Sequence, residues 1–193
     1  MEEIEKNEEK TEQKTEKKKS WIRDFAELIV TLIVVYAVSM LIVTYVGQRT
    51  IVDGPSMQNT LQDGDNLIVN KIGYRFSDPE RFDIVVFDYL YEENTEYIKR
   101  IIGLPGETVQ IIDGTIYING DALEENFGKE EMVNAGIAAV PIELGEDEYF
   151  VLGDNRNHSK DSRDPLVGKV KRSQIVGKAW IRIWPFGSDF VLK

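Results

Sequence analysis

Three short stretches carry the side chains with which this chain could make or break a covalent bond. The first, "VDGPSMQNTLQDGDN" (Val52–Asn66), sets Ser56 among turn formers. A serine hydroxyl attacks a carbonyl only when a neighbouring base takes its proton. One candidate base is the single histidine, His158, in "GDNRNHSKDSRDP" (Gly153–Pro165), which with an acid such as Asp161 would complete a Ser-His-Asp triad. A lone histidine in a polar loop is more often a surface residue. The other is Lys99 in "EYIKRIIGLPGE", where strand alternation sets Tyr97, Lys99 and Ile101 on one face and Ile98, Arg100 and Ile102 on the other. Lys99 then has mostly apolar neighbours, and desolvation favours the neutral amine that a base must be. Lowering a lysine pKa from about 10.4 to about 8 requires roughly 3 kcal/mol of differential destabilisation of the cation. Taken singly, each residue also has a plainer reading: Ser56 as a turn residue, Lys99 as a strand lysine whose ammonium reaches water.

Metal chemistry finds no support in the same loops. Read as a calcium loop from Asp154, the third stretch puts Arg156 where an oxygen ligand belongs; read from Asn155, it puts Lys160 at the turn glycine and Leu166 at the bidentate acid. The chain has no cysteine, so disulfides, thiol catalysis and thiolate metal sites are excluded. A net charge of -11 and the lack of a basic stripe beyond the N-terminal tail argue against a nucleic-acid partner. No metal and no cofactor are expected.

The elements that must position these residues follow from patterning. A length of 193 residues allows one ordinary domain with appendages. From Asp63 onward, β-rich runs alternate with turns: "NLIVNKI", "FDIVVFDYL", "EYIKRIIGL", "TVQII", "TIYIN", "EYFVLGD" and "KAWIRIW". Asp113-Gly114 marks a two-residue hairpin and Asn119-Gly120 begins another turn. Residues 121 to 138 read as a polar excursion with at most a short helix. The fold class is mostly β, an antiparallel, barrel-like sheet domain preceded by one transmembrane helix.

That helix is read from Phe25 to Val46, about 22 residues or roughly 33 Å, against a bilayer core of about 30 Å. Ala37-Val38-Ser39 has the small-x-small form of a leader cleavage site, but it sits inside the apolar run, which favours an uncleaved anchor. Lys17, Lys18, Lys19 and Arg23 precede the span and only Arg49 closely follows it, so residues 1–20 are read as a disordered cytoplasmic tail, 21–47 as the anchor and 48–193 as an extracytoplasmic domain. Trp180, Trp184 and Phe186 are candidates to face lipid, with the β core the expected place for at least half of them.

The combination decides between the readings. "GPSMQNTLQDGD", "YIKRIIGLPGE" and "GDNRNHSKDSRDP", in that order after an N-terminal anchor, resemble the signature boxes of the type I signal peptidases, Ser-Lys endopeptidases bound to the membrane, in their Gram-positive form. The resemblance implies Ser56 as nucleophile and Lys99 as general base, with Ser159 orienting the lysine amine. It further implies Arg100 paired with Asp154 and Asp161 with Arg163 as structural pairs, and secreted pre-proteins and the lipid bilayer as partners. Two positions depart from the family pattern. Asn59 stands where proline is usual, leaving the turn less pre-set. Gly54 stands where some members carry a serine hydroxyl, so the oxyanion donors are expected to be backbone N–H groups near Ser56 and Gly54. Two alternatives stay open here: a catalytically impaired, membrane-anchored module that binds precursors, and a relative of the self-cleaving Ser-Lys repressors, against which the anchor and acidic charge argue.

Overall fold

The apolar N-terminal run is a single helix in the computed structural model, which describes residues 2–45, 47–185 and 190–192, with the backbone alone for residues 2–20, 43 and 45. The chain divides into two units, Met1–Thr44 and Tyr45–Lys193. The first is helix α1 (Glu2–Tyr45). Its stretch Trp21–Ile42, 22 residues with a mean hydropathy of 2.4, is exposed throughout. A helix apolar on every side is stable only inside a protein core or a bilayer. The helix also runs through residues 2–20, where the sequence led us to expect a disordered tail. Glu, Lys and Gln are good helix formers, and extending an existing helix avoids the cost of nucleation.

The described residues of the second unit hold eleven strands, joined in two antiparallel sheets. In chain order they are β1 (Gly47–Ile51), β2 (Asn66–Asn70), β3 (Ile84–Asp88), β4 (Glu96–Gly103), β5 (Thr108–Ile112), β6 (Thr115–Ile118), β7 (Asp121–Ala122), β8 (Ile142–Glu143), β9 (Glu148–Leu152), β10 (Val170–Lys171) and β11 (Ile175–Trp184). One sheet has the order β1-β2-β11-β3-β4-β9-β10, the other β7-β6-β5-β8. Every run named from the sequence contributes a strand. β1, "GQRTI", was not foreseen; it has little apolar alternation and exists because it pairs along its whole length with β2. The hairpin turn at Asp113-Gly114 has φ of 46° and 78°, and Asn119-Gly120 has 54° and 91°, the double positive φ that these residue types tolerate. Residues 121–138 hold only β7 and the start of a 3-10 turn, Gly136–Ala139.

Apolar packing fixes the strands that matter for the chemistry. Val52, Met57, Leu61, Leu67, Val69, Ile84, Val86 and Ile98 form one buried cluster, and Val85, Phe87, Ile101, Tyr149 and Val151 belong to another. β4 is covered on both faces, with every residue from Ile98 to Gly103 buried. Trp180 and Trp184 are both largely exposed, contrary to the core placement expected for at least half of the aromatic trio, and Phe186 lies outside the described residues.

Candidate active site

Ser56 sits in the connection from β1 to β2, a segment held by its own backbone and by two apolar anchors. Gln58 N–H donates to Pro55 O and Leu61 N–H to Met57 O, while Val52 N–H reaches Asp65 O at 2.8 Å. Met57 and Leu61 are fully buried, so the polar turn is pinned on its inner side by hydrophobic burial. Gly54 has φ +86°, a conformation that disfavours any side chain, and that accounts for glycine at this position. Its N–H donates to Asp63 Oδ1 at 2.9 Å, so Gly54 is not the free oxyanion donor anticipated from the sequence. The Ser56 N–H has no hydrogen-bond partner among the described residues. Asn59 has φ +99°, unattainable for proline, so asparagine suits this turn and is no sign of decay.

Strand β4 delivers Lys99 to this turn. The Lys99 Nζ donates to Ser56 Oγ at 2.9 Å and to Ile98 O at 2.8 Å. Lys99 is only 4% exposed, and burial lowers its pKa from an ordinary 10.5 to about 8, opposed by the charges of Asp161 and Asp154. Among the described residues it forms no ion pair, and both of its acceptors are neutral oxygens. At pH 7 such an amine is neutral in about one molecule in ten, against roughly one in three thousand for an unperturbed lysine.

The two carboxylates that could hold the proton on Lys99 are already claimed. Arg100 meets Asp154 through Nε–Oδ1 at 2.9 Å and Nη2–Oδ2 at 2.8 Å, both side chains fully buried. Its guanidinium also donates to Phe82 O and Thr60 Oγ1 and lies 3.7 Å from the centre of the Phe127 ring. Arg163 meets Asp161 through Nε–Oδ1 and Nη2–Oδ2, each 2.8 Å, and Asp161 Oδ2 accepts from Gly153 N–H at 3.0 Å. Each pair spends its anion on a planar, permanently charged guanidinium. Burial of Lys99 is therefore not cancelled by an adjacent free carboxylate.

Gly153 lets the third box close on the first. A Cβ there would lie 2.2 Å from Ser159 Oγ and 2.5 Å from Ser56 O, so only glycine permits the approach. Ser159 is turned against this contact and its buried hydroxyl has no hydrogen-bond partner. The expected bond from Ser159 to the amine is thus not made, and Ser56 Oγ and Ile98 O orient Lys99 instead. His158 is exposed, and its one hydrogen bond among the described residues runs from its backbone N–H to Asn155 O, not to Ser56 or Lys99.

Other residues at the site carried no role in the sequence reading. Thr60 Oγ1 donates to Asp154 Oδ2 at 2.5 Å, tying the Ser56 turn to the Arg100 pair. Asn155 donates to both Pro55 O and Ser56 O. Arg156 pairs with Glu125 at 2.7 Å. All but Glu125 lie inside the boxes quoted above, so position was visible while function was not. Ser56 and Lys99 open onto a cleft of about 230 Å³ walled by Thr50, Val52, Val86, Tyr97 and Ile98. A larger hollow of about 460 Å³ lies against residues 133–137 and 156–165, but neither Ser56 nor Lys99 lines it. Among the described residues no three His, Asp or Glu side chains converge as metal ligands would.

A buried lysine with a lowered pKa, touching a serine hydroxyl beside a cleft, is an arrangement for acyl transfer. The family model described as "Signal peptidase, peptidase S26" matches residues 22–184. The chain belongs to this family. A probable signal peptidase I-2 of Synechocystis sp. is 41% identical over 170 residues, covering 82% of this chain and 73% of that one. A signal peptidase I of Bacillus licheniformis is 36% identical over 167 residues, covering 83% and 89%. A crystal structure of a signal peptidase I from Enterococcus faecalis V583 is 36% identical, covers 53% of this chain and 97% of that one, and has a TM-score of 0.45. As a signal peptidase I the chain is a hydrolase, a serine endopeptidase, and the region matched to the family contains every site residue from Gly54 to Arg163.

Proposed function

We propose that this chain is a membrane-anchored endopeptidase that removes N-terminal signal peptides from secreted pre-proteins, cutting after Ala-x-Ala-like sites with a Ser56–Lys99 dyad. The observation that carries the reading is the 2.9 Å contact between Lys99 Nζ and Ser56 Oγ, made by an amine whose burial favours its neutral form. In the neutral state Lys99 takes the Ser56 proton as Oγ attacks the scissile carbonyl. Ser56 N–H stabilises the oxyanion. The resulting ammonium then protonates the leaving amine, and water activated by the regenerated amine releases the acyl-enzyme. The preference for small residues immediately before the cut and two positions earlier is that of the family, and the cleft walled by Val52, Val86 and Ile98 beside Ser56 is where those side chains would sit.

The helix Trp21–Ile42 supports bilayer anchoring, and the lysines at 17–19 with Arg23 support a cytoplasmic N-terminus with the β unit outside. Trp180 and Trp184 suit a membrane interface. Incubating the detergent-solubilised chain with a pre-protein and weighing the products tests the activity. One cut after a small residue, lost in Ser56→Ala, is expected; efficient cutting after Phe or Lys would remove the signal-peptidase reading. For topology, single cysteines at Ser20 and Ser173 in intact cells should react with a membrane-impermeant thiol reagent only at position 173, and labelling at 20 alone would invert the orientation.

A further inference from the structure

The third box reaches the Ser56 turn through one side chain that touches neither Lys99 nor Ser56 Oγ. Asn155, 2% exposed, donates from Nδ2 to Pro55 O at 3.0 Å and from its backbone N–H to Ser56 O at 3.0 Å. These two carbonyls belong to the peptide groups on either side of Ser56. The Pro55–Ser56 peptide is trans, so its C=O and the Ser56 N–H are antiparallel in one plane. Holding Pro55 O therefore sets the direction of the Ser56 N–H, which points away from Asn155 and has no partner among the described residues. Gln58 N–H also donates to Pro55 O at 3.0 Å, but it belongs to the same turn and moves with it; Asn155 references the peptide to a separate loop. That loop is fixed by the Asp154–Arg100 pair on one side and by the Asp161 bond to Gly153 N–H on the other.

We infer that Asn155 is a positioning residue for oxyanion stabilisation: by fixing the Pro55–Ser56 peptide it aims the Ser56 N–H at the developing negative charge. The inference rests on the proposed role of that N–H. Loss of an oxyanion donor typically lowers kcat about 10²- to 10³-fold, so loss of its alignment is expected to cost about 10- to 100-fold. Because the Nδ2 contact is to a carbonyl and not to Lys99, the ionisation of the amine stays as it was.

The test uses the full chain in detergent, as wild type, Asn155→Ala and Asn155→Leu, the second of similar volume and uncharged should the first lose stability. A signal-peptide substrate gives kcat, KM and the pH profile. Two probes give affinities: a peptide ending in an alanine boronic acid, which forms a tetrahedral adduct with Ser56, and the same peptide ending in alanine amide, which does not. The expected result is a kcat lower by about 10- to 100-fold, KM and the apparent pKa unchanged, and weakened binding of the boronate alone. Equal weakening of both probes, a displaced pH profile, or an unchanged kcat would overturn the role assigned to Asn155. A wild type that binds boronate no better than amide would show that the Ser56 N–H reading itself fails, and the inference with it.

Discussion

The two faces of β4 treat neighbouring cations in opposite ways. Lys99 and Arg100 are adjacent and almost wholly buried, at 4% and 0% exposed. Arg100 faces Asp154 in a two-point ion pair, and Phe82 O, Thr60 Oγ1 and the Phe127 ring also lie against its guanidinium. Lys99 faces a hydroxyl, a carbonyl and, at 5.1 Å, the Tyr97 ring, none of them an anion. Burial without a counter-charge lowers the lysine pKa to about 8, whereas an arginine cannot lose its proton and must be matched. The lesson is that burial sets the penalty on a charge, and the partner decides whether the charge survives it.

The sharpest way to break this contrast is to put the wrong cation on the reactive face. Lys99→Arg keeps charge and donors but removes the capacity to accept a proton, so kcat should fall by about 10³-fold or more. Substantial cleavage by this variant would mean that Lys99 is not the base. On the other face, Asp154→Asn leaves the Arg100 charge buried without its anion, with an expected loss of about 3–5 kcal/mol in stability. Denaturant unfolding of the variant is the measurement, and a cost near zero would show that the pair is dispensable.

The pH dependence sharpens the comparison further. Only the neutral amine accepts the Ser56 proton, so kcat/KM should rise with pH through an apparent pKa of about 8 and level off above it. Arg163→Met frees Asp161, whose charge favours the ammonium form. The rise should then move to higher pH, with activity at pH 7 lower by several-fold. A flat profile between about pH 6 and 9 would contradict the titration of Lys99, and an unmoved profile in the variant would contradict the shielding of Asp161.

The smallest effects belong to residues that contact neither face. Removing the exposed His158 by Ala should leave kcat within about two-fold, since no proton passes through it. Ser159→Ala removes a buried hydroxyl that has no partner, so stability should hold and kcat should stay within about three-fold. A loss of a hundred-fold in kcat alone would show that this hydroxyl turns to the amine when substrate is bound.

What the sequence determined by itself were the local features: the length of the apolar helix, the strand runs, the Asp113-Gly114 turn and the order of the three boxes. These depend on period, composition and spacing, which a linear chain displays. It also put Lys99 and Arg100 on opposite faces of one strand, because alternation is local. Only tertiary structure decided that both faces are buried, since β4 is central and covered on each side. It alone tied the Gly54 N–H to Asp63, gave Asn59 a φ of +99° and left the Ser159 hydroxyl unpaired. The same holds for β1, which pairs with β2 despite a composition that hides it, and for Asn155, which meets Pro55 O across a separation of 100 residues. Hydrogen bonds between distant segments depend on where three loops converge, and no period or spacing in the chain encodes that convergence.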